Sequence, residues 1–380
     1  MDFKLTEKQQ FIQKMVREFA ENKLAPGAIE RDKTGEFDVE LYKEMGKMGI
    51  IGLPYPKEYG GSGEDYMAYA IAVEEISKVD GAMGISYSVS TSLYAGSIMA
   101  SGATEEQKKK FLTPVLKGES FGAFGLTEPN AGSDAGGCIT TAKKEGDHYI
   151  INGLKCFSTN GPLADYYVVY ALTEEGIGAK GLSAFVVETK TEGCSVGHIE
   201  DKCGIKSAQV SEIIFENCKI PAENLIGKEG DGFKIAMKTL DGGRIGVAAQ
   251  GLGIAKGAFE IARKYLMQRK QFGKPLFKNQ YLAFKMAELK VQILQAEMML
   301  YKAATDKSLG ERYSQSAAIA KLVCTDAAMK VTTEAVQMLG GNGYMREYEV
   351  ERMMRDAKIT QIYEGTNEIQ KLIISGSIFR

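Results

Sequence analysis

Apolar positions along the chain change period twice. Phe11, Ile12, Met15, Val16 and Phe19 recur at helical spacing behind Thr6-Glu7-Lys8-Gln9, which has the form of a capping box, and predict an amphipathic helix that Pro26 ends. Helices are also expected over Val39 to Met48, from about Asp65, and through the small-residue stretch Gly81 to Ala100, with a loop over Pro54, Pro56, Gly60, Gly61 and Gly63. Thr104-Glu105-Glu106-Gln107 repeats the capping box. From Ser120 the runs shorten and alternate. Cys138 to Ala142, Tyr149 to Ile151, Tyr166 to Leu172, Leu182 to Glu188 and Glu212 to Phe215 are rich in β-branched and aromatic residues and predict strands. Asn152-Gly153 is expected to turn a hairpin between two of them. Beyond Gly232 the helical period returns in three long stripes, Phe233 to Leu266, Leu282 to Ala303 and Ala317 to Met338, whose steps of four and three are those of bundle seams.

These periods divide the chain into a helical domain over residues 1–119, a β domain over 120–230 and a helical bundle over 231–380, completed by a last helix from Asn367. The class is α+β multidomain, with the middle block a small barrel or sandwich. A length of 380 residues agrees, being too great for one compact core. Lys+Arg 47 against Asp+Glu 49 leaves a net charge of -2, which speaks against nucleic acid or an acidic membrane surface as partner. No apolar run approaches the roughly 18 to 20 residues that cross a bilayer. Six cysteines without a CxxC pair, behind an N-terminus that does not read as a signal peptide, predict reduced thiols in a cytoplasm and no disulfide. Cys194, His198 and Cys203 fall in an alternating segment and read as core or surface residues, so no metal is expected.

Candidate chemistry is sparse. Gly251-Leu252-Gly253 with Gly257 has the wrong spacing for a dinucleotide fingerprint and lies inside a helical stripe. There is no P-loop, and Ser133 lacks the glycine two residues before it that a nucleophile elbow needs. Glu364 is more informative, since it sits in a turn between Ile362-Tyr363 and Gly365-Thr366, ahead of the last helix. Either it faces the positive end of that helix, or its apolar neighbours desolvate it and suit it to general-base work.

Arg355 to Gln370 resembles the C-terminal motif of the flavin-dependent acyl-CoA dehydrogenases. Phe124 to Asp134, Asn152 to Gly161 and Gln337 to Gly343 match the same family in order, and the resemblance covers essentially the whole chain, most closely the butyryl-type bacterial members. It implies that Glu364 is the catalytic base. Leu126, Thr127, Phe157 and Thr159 match flavin contacts, and Ser133 matches a position near both substrate and ring edge. Arg269 and Phe272 match residues that reach the ADP part of a neighbouring subunit's FAD, and Gln337, Gly340 and Gly341 a loop beside it. Thr366 and Glu368 match two further cofactor contacts. Asp241, Arg244, Tyr363 and Gly365 fall on the substrate side, and Tyr94 is expected to close a short acyl pocket, although it also reads as a core aromatic. Arg269 and the glycines after Gln337 equally suit plain helix ends, and Arg244 a surface charge. Three departures are visible: Phe157 stands where many relatives have Trp, Glu368 where several have Gln, and Gly243 where some branches place their catalytic Glu.

The function so implied is interconversion of butyryl-CoA and crotonyl-CoA by α-proton abstraction and β-hydride transfer to FAD. Electrons would be exchanged with an electron-transfer flavoprotein, in a cytoplasmic homotetramer of butyrate fermentation. The rivals are a dehydrogenase or oxidase for a branched or aryl acyl-CoA, and a helical interaction protein without cofactor.

Overall fold

The computed structural model describes residues 4–379. The first helix, Glu7–Phe19, starts on the expected capping box, with Thr6 accepting from the Gln9 amide and the Gln9 side chain accepting from the Thr6 amide. Pro26 does not end it. The chain passes through a π-helical turn, Ala20–Leu24, and a 3-10 turn that holds Pro26 at its start, into the helix Ala28–Thr34. Proline lacks only a donor that the first turn of a helix leaves unpaired anyway.

Helix Tyr66–Ser77, capped by Asp65, is buried along its whole length. Helix Gly81–Ser88, capped by Asp80, continues as a π-helical segment over Val89–Ala95 and then as Gly96–Ser101. Both pack on the 37-residue helix Gly232–Gln268, and glycines in that helix permit the approach: a Cβ on Gly253 would meet the Glu74 carbonyl at 2.3 Å.

Eight strands hydrogen-bond into one sheet: β1 (Gly122–Gly125), β2 (Thr141–Glu145), β3 (His148–Thr159), β4 (Tyr166–Leu172), β5 (Leu182–Glu188), β6 (Cys194–Ile199), β7 (Val210–Pro221) and β8 (Leu225–Ile226). Their order is β6-β7-β3-β2-β4-β5-β8, with β1 parallel to β4. Asn152-Gly153 does not turn the expected hairpin. β2 and β3 are joined instead at Gly146-Asp147, and β3 runs on through Gly153, where its register with β7 shifts. The side chain of Asn152 bonds across to Asn217, and Gly153 passes so close to Thr140 that a Cβ would meet its Oγ1 at 2.5 Å; the glycine serves a bulge rather than a turn.

The three long stripes become the antiparallel helices Gly232–Gln268, Gln280–Ser308 and Ser314–Leu339, and Val350–Thr360 and Asn367–Ile378 close the bundle. The chain thus has a helical N-terminal part, a middle sheet and a helical C-terminal part. Among the described residues no helix is long and apolar enough to cross a membrane. Where the three parts meet, Val89, Leu93 and Ile205 are buried together with Phe124 from β1, Leu240, Ile359 and Tyr363 partly covered around them.

Candidate active site

Glu364 stands in the turn between Val350–Thr360 and Asn367–Ile378. Two consecutive residues there, Glu364 at φ 52° and Gly365 at φ 93°, are left-handed. Gly365 adopts this freely, whereas Glu364 carries strain on the order of 1–3 kcal/mol that its surroundings must hold. They do so through the Gly365 carbonyl, which accepts from Lys321 Nζ at 2.9 Å and from Gln370 Nε2 at 2.7 Å. The Thr366 hydroxyl accepts from the Ile369 amide and caps the last helix.

Both carboxylate oxygens of Glu364 are enclosed, and neither has a hydrogen-bond partner among the described residues. Enclosure pushes its proton affinity up, to a pKa of about 7, against the pull of Lys321 and Arg244 towards the ionised form. Packed directly against this carboxylate is Gly243, where a Cβ would fall 2.0 Å from Glu364 Oε2 and 2.7 Å from Leu93 Cδ2. Arg244, one residue on, is buried and paired with Asp241, which also accepts from the Ser314 hydroxyl at 3.0 Å. The Tyr363 hydroxyl donates to Gln250, whose amide nitrogen donates to the Gly81 carbonyl at 2.8 Å, so the ring beside Glu364 is fixed to two helices. An enclosed carboxylate without a partner is costly in its ionised form, and a carboxyl so placed is a candidate for proton-transfer chemistry.

A second group forms at the end of β1. Lys155 and Glu128, both buried, pair at 2.6 Å; Lys155 also donates to the Leu126 carbonyl at 3.2 Å, and Glu128 accepts from the Ile139 amide at 2.7 Å. The Cys156 amide donates to the Thr127 carbonyl at 2.9 Å, which brings Leu126 and Thr127 beside Phe157. Here β3 shifts register against β7, and Phe157, at φ 56°, is turned out with 64% of its surface exposed. Ser133 is exposed on the same loop and Thr159 is half-buried.

A third group lies elsewhere. Arg269 ends the long helix roughly 37 Å beyond Arg244, at 1.5 Å per residue. Phe272, at φ 52° and 98% exposed, projects from the small hairpin that follows. Gln337, Gly340 and Gly341 are exposed at the end of Ser314–Leu339, and the next turn is tied to the long helix by a 2.8 Å bond from Asn342 to the Tyr265 hydroxyl. One chain therefore does not bring these five residues to Glu364.

Three family models cover the chain in order: the acyl-CoA dehydrogenase N-terminal domain over residues 6–119, the middle domain over 123–218 and the C-terminal domain over 230–379. The acyl-CoA dehydrogenase, short-chain specific, of Clostridium acetobutylicum is 56% identical over 380 residues, covering all of both chains. The chain belongs to the acyl-CoA dehydrogenase family. Among solved structures, butyryl-CoA dehydrogenase from Megasphaera elsdenii superposes with a TM-score of 0.98 at 52% identity, covering all of both chains. A chain from work on the electron transferring flavoprotein of Acidaminococcus fermentans and flavin-based electron bifurcation superposes with a TM-score of 0.99 at 53% identity, again over both full lengths.

Of the residues matched to the family motifs, Asp241, Arg244, Tyr363, Glu364, Gly365 and Thr366 converge at the half-buried Glu364 turn, with Glu368 exposed just beyond it. Tyr94 does not. Its ring is fully buried against Gly122, where a Cβ would strike it at 2.3 Å, and its hydroxyl donates to the Phe111 carbonyl at 3.0 Å. The preceding residue, Leu93, is the one that reaches Gly243 beside Glu364. Sequence reasoning also passed over Lys321. Its signal was a lysine at i+4 from Ala317 and i−3 from Cys324, on the apolar stripe itself.

Proposed function

We propose that this protein interconverts a short-chain acyl-CoA, with butyryl-CoA as the representative substrate, and its trans-2-enoyl-CoA, and that Glu364 takes and returns the α-proton. The observation that carries this reading is the enclosed Glu364 carboxylate with two unpartnered oxygens. Near a pKa of about 7 such a group is partly ionised at neutral pH yet still basic, the condition under which general-base catalysis works best. The short-chain preference is supported by the names and 52–56% identity of the relatives.

Members of the family use FAD. The second group suits a planar aromatic cofactor: a solvent-facing ring at Phe157, fixed by a strained backbone, stands beside the pinned Leu126–Thr127 strand end. Leu126, Thr127, Phe157 and Thr159 would hold the flavin ring, with Ser133 near its edge and Thr366 and Glu368 towards its chain. FAD, when bound, supplies acceptance of the β-hydrogen with its electron pair. The work left to the protein is positional. Tyr363, Leu93 and Phe124 keep water from Glu364, Gly365 turns the backbone so that the carboxylate faces the cleft, and Asp241 and Arg244 form a polar wall for the CoA thioester side.

Arg269, Phe272, Gln337, Gly340 and Gly341 would then serve the FAD of a neighbouring subunit in a homotetramer. Helix Gln280–Ser308 supports assembly. It buries Leu289, Ile293, Ala296, Leu300 and Ala303 on one side, yet on the opposite side exposes Tyr281, Phe284, Val291, Leu294 and Met298. A helix apolar on both faces requires a second covering surface. The Acidaminococcus neighbour supports an electron-transfer flavoprotein as redox partner, and the bacterial relatives a cytoplasmic setting.

The test is to purify the protein, measure FAD per chain and mass in solution, and compare kcat/KM for CoA esters of four to eight carbons. One FAD per chain, a tetramer and a maximum at four carbons are expected. A maximum at eight carbons, or with an aryl ester, would contradict the substrate assignment, and a colourless monomer would contradict the enzyme reading.

A further inference from the structure

Lys321 is a costly residue where it stands. Its side chain is fully buried in the bundle, on the same face of its helix as Ala317 and Cys324, and it makes no ion pair within 4 Å among the described residues. A methionine would fill the space without taking a charge out of water, a transfer that costs several kcal/mol even after relaxation. What Lys321 does instead is bond to the turn that carries Glu364: Nζ donates to the Gly365 carbonyl and to Asn367 Oδ1, both at 2.9 Å. Asn367 is locked in turn by its own amide bonds to the Thr325 hydroxyl at 3.0 Å and Asp326 at 2.8 Å. The lysine therefore holds the left-handed segment at its C-terminal end, through Gly365 within it and Asn367 just beyond it.

We propose that Lys321 is a positioning residue for the α-proton base, fixing the Glu364–Gly365 turn in its strained conformation and supplying the counter-charge for the ionised carboxylate. This rests on the reading of Glu364 as that base. The groups that act on the carboxylate come from every element around it. Arg244, with its partner Asp241, acts from the long helix, Tyr66 and Tyr69 face it from Tyr66–Ser77, and Tyr363 is its own neighbour. Lys321 is in addition under the influence of Asp326 and Glu368. Burial pulls Lys321 down to about 7, while Glu364 pulls it back up, so each group favours the charged form of the other. Of the two cations that act on Glu364, Arg244 is paired with Asp241, whereas Lys321 has no ion pair of its own among the described residues.

The experiment compares Lys321→Met and Lys321→Arg with the parent holoenzyme, with Glu364→Gln run in parallel. FAD content, thermal unfolding and the pH dependence of kcat/KM are measured for each. Lys321→Met is expected to keep FAD, to lower kcat at least tenfold, and to move the acid-side midpoint of the pH profile up by about 1 unit or more, the usual effect of losing an opposite charge at close range. Lys321→Arg is expected to keep the midpoint near that of the parent. If Lys321→Met fails to fold, Lys321→Gln takes its place, since it keeps a donor for the Gly365 carbonyl but not the charge. An unchanged midpoint in the folded neutral variant, with only a lower Tm, would reduce Lys321 to a structural residue and overturn the proposal. Full turnover in Glu364→Gln would instead overturn the base assignment, a result distinguishable because it leaves the lysine variants out of account.

Discussion

Glu364 and Gly243 occupy one another's space: the carboxylate of the first fills the volume that any side chain on the second would need, with a hypothetical Cβ only 2.0 Å from Oε2. A glycine in mid-helix costs about 1 kcal/mol relative to alanine, and here that cost leaves room for the Glu364 carboxylate. The two positions are therefore alternative origins for a single carboxylate.

This relationship makes a reciprocal prediction. Gly243→Ala should displace Glu364 and lower kcat/KM by about 10²-fold or more, within the range that a positioned base contributes. Glu364→Gly combined with Gly243→Glu should recover part of the activity, because the cleft is emptied before it is refilled. Gly243→Glu combined with Glu364→Gln should recover little, since the amide still occupies the site. Steady-state kinetics on the three variants checks the order.

The raised pKa of Glu364 fixes the direction of a pH effect. The base works ionised, so kcat/KM should rise with pH through a midpoint near 7, where an ordinary carboxylate near 4.5 would already be fully active. Stability runs the other way for this group. Between those two values the folded protein holds a proton that the unfolded chain has lost, so its contribution falls as pH rises. A pH–rate profile measured beside a melting series reads both signs.

Leu93 and Tyr94 should separate by phenotype. Tyr94→Ala removes a fully buried ring and its hydrogen bond, and is expected to cost about 3–5 kcal/mol of stability without changing the preferred chain length. Leu93→Ala opens the cleft beside Gly243, and should raise the octanoyl to butyryl ratio of kcat/KM, each accommodated methylene being worth about 0.8 kcal/mol. Melting curves and the two-substrate ratio decide between them.

Period and punctuation carried most of the architecture. The long helices follow from repeated four-three steps, the first capping box from Thr6 and Gln9, and β4 and β5 from short β-branched and aromatic runs over Tyr166–Leu172 and Leu182–Glu188. Asn152-Gly153 misled because a glycine in a strand serves a bulge as readily as a turn, and only the approach of Thr140 and Asn217 decides which. Site legibility differed residue by residue. Glu364 stood out through its apolar and glycine neighbours, but its partnerless state, the opposed Gly243 and the lysine behind the turn depend on contacts between segments dozens of residues apart. Of the seven non-glycine residues with positive φ among the described residues, three (Phe157, Phe272 and Glu364) are residues singled out from the sequence. Their strain itself could not be read there, since it is imposed by a register shift, a hairpin and a clamped turn.

The apolar outer face of helix Gln280–Ser308 predicts an assembly defect that is separate from chemistry. Phe284→Asp with Val291→Asp places two charges on that face and should yield smaller species in analytical ultracentrifugation, with weakened FAD retention if Arg269 and Gln337 serve a neighbour. A tetramer that survives the double substitution would remove this face from the interface.

The most direct test of the account follows the α-proton itself. Parent and Glu364→Gln holoenzymes are mixed with butyryl-CoA in D2O, recording flavin bleaching by stopped flow and deuterium incorporation at the α-carbon by mass spectrometry. The account predicts that the variant retains FAD and binds the ester, while both bleaching and exchange fall by at least about 10²-fold. Exchange at the parent rate in Glu364→Gln would show that another group removes the proton.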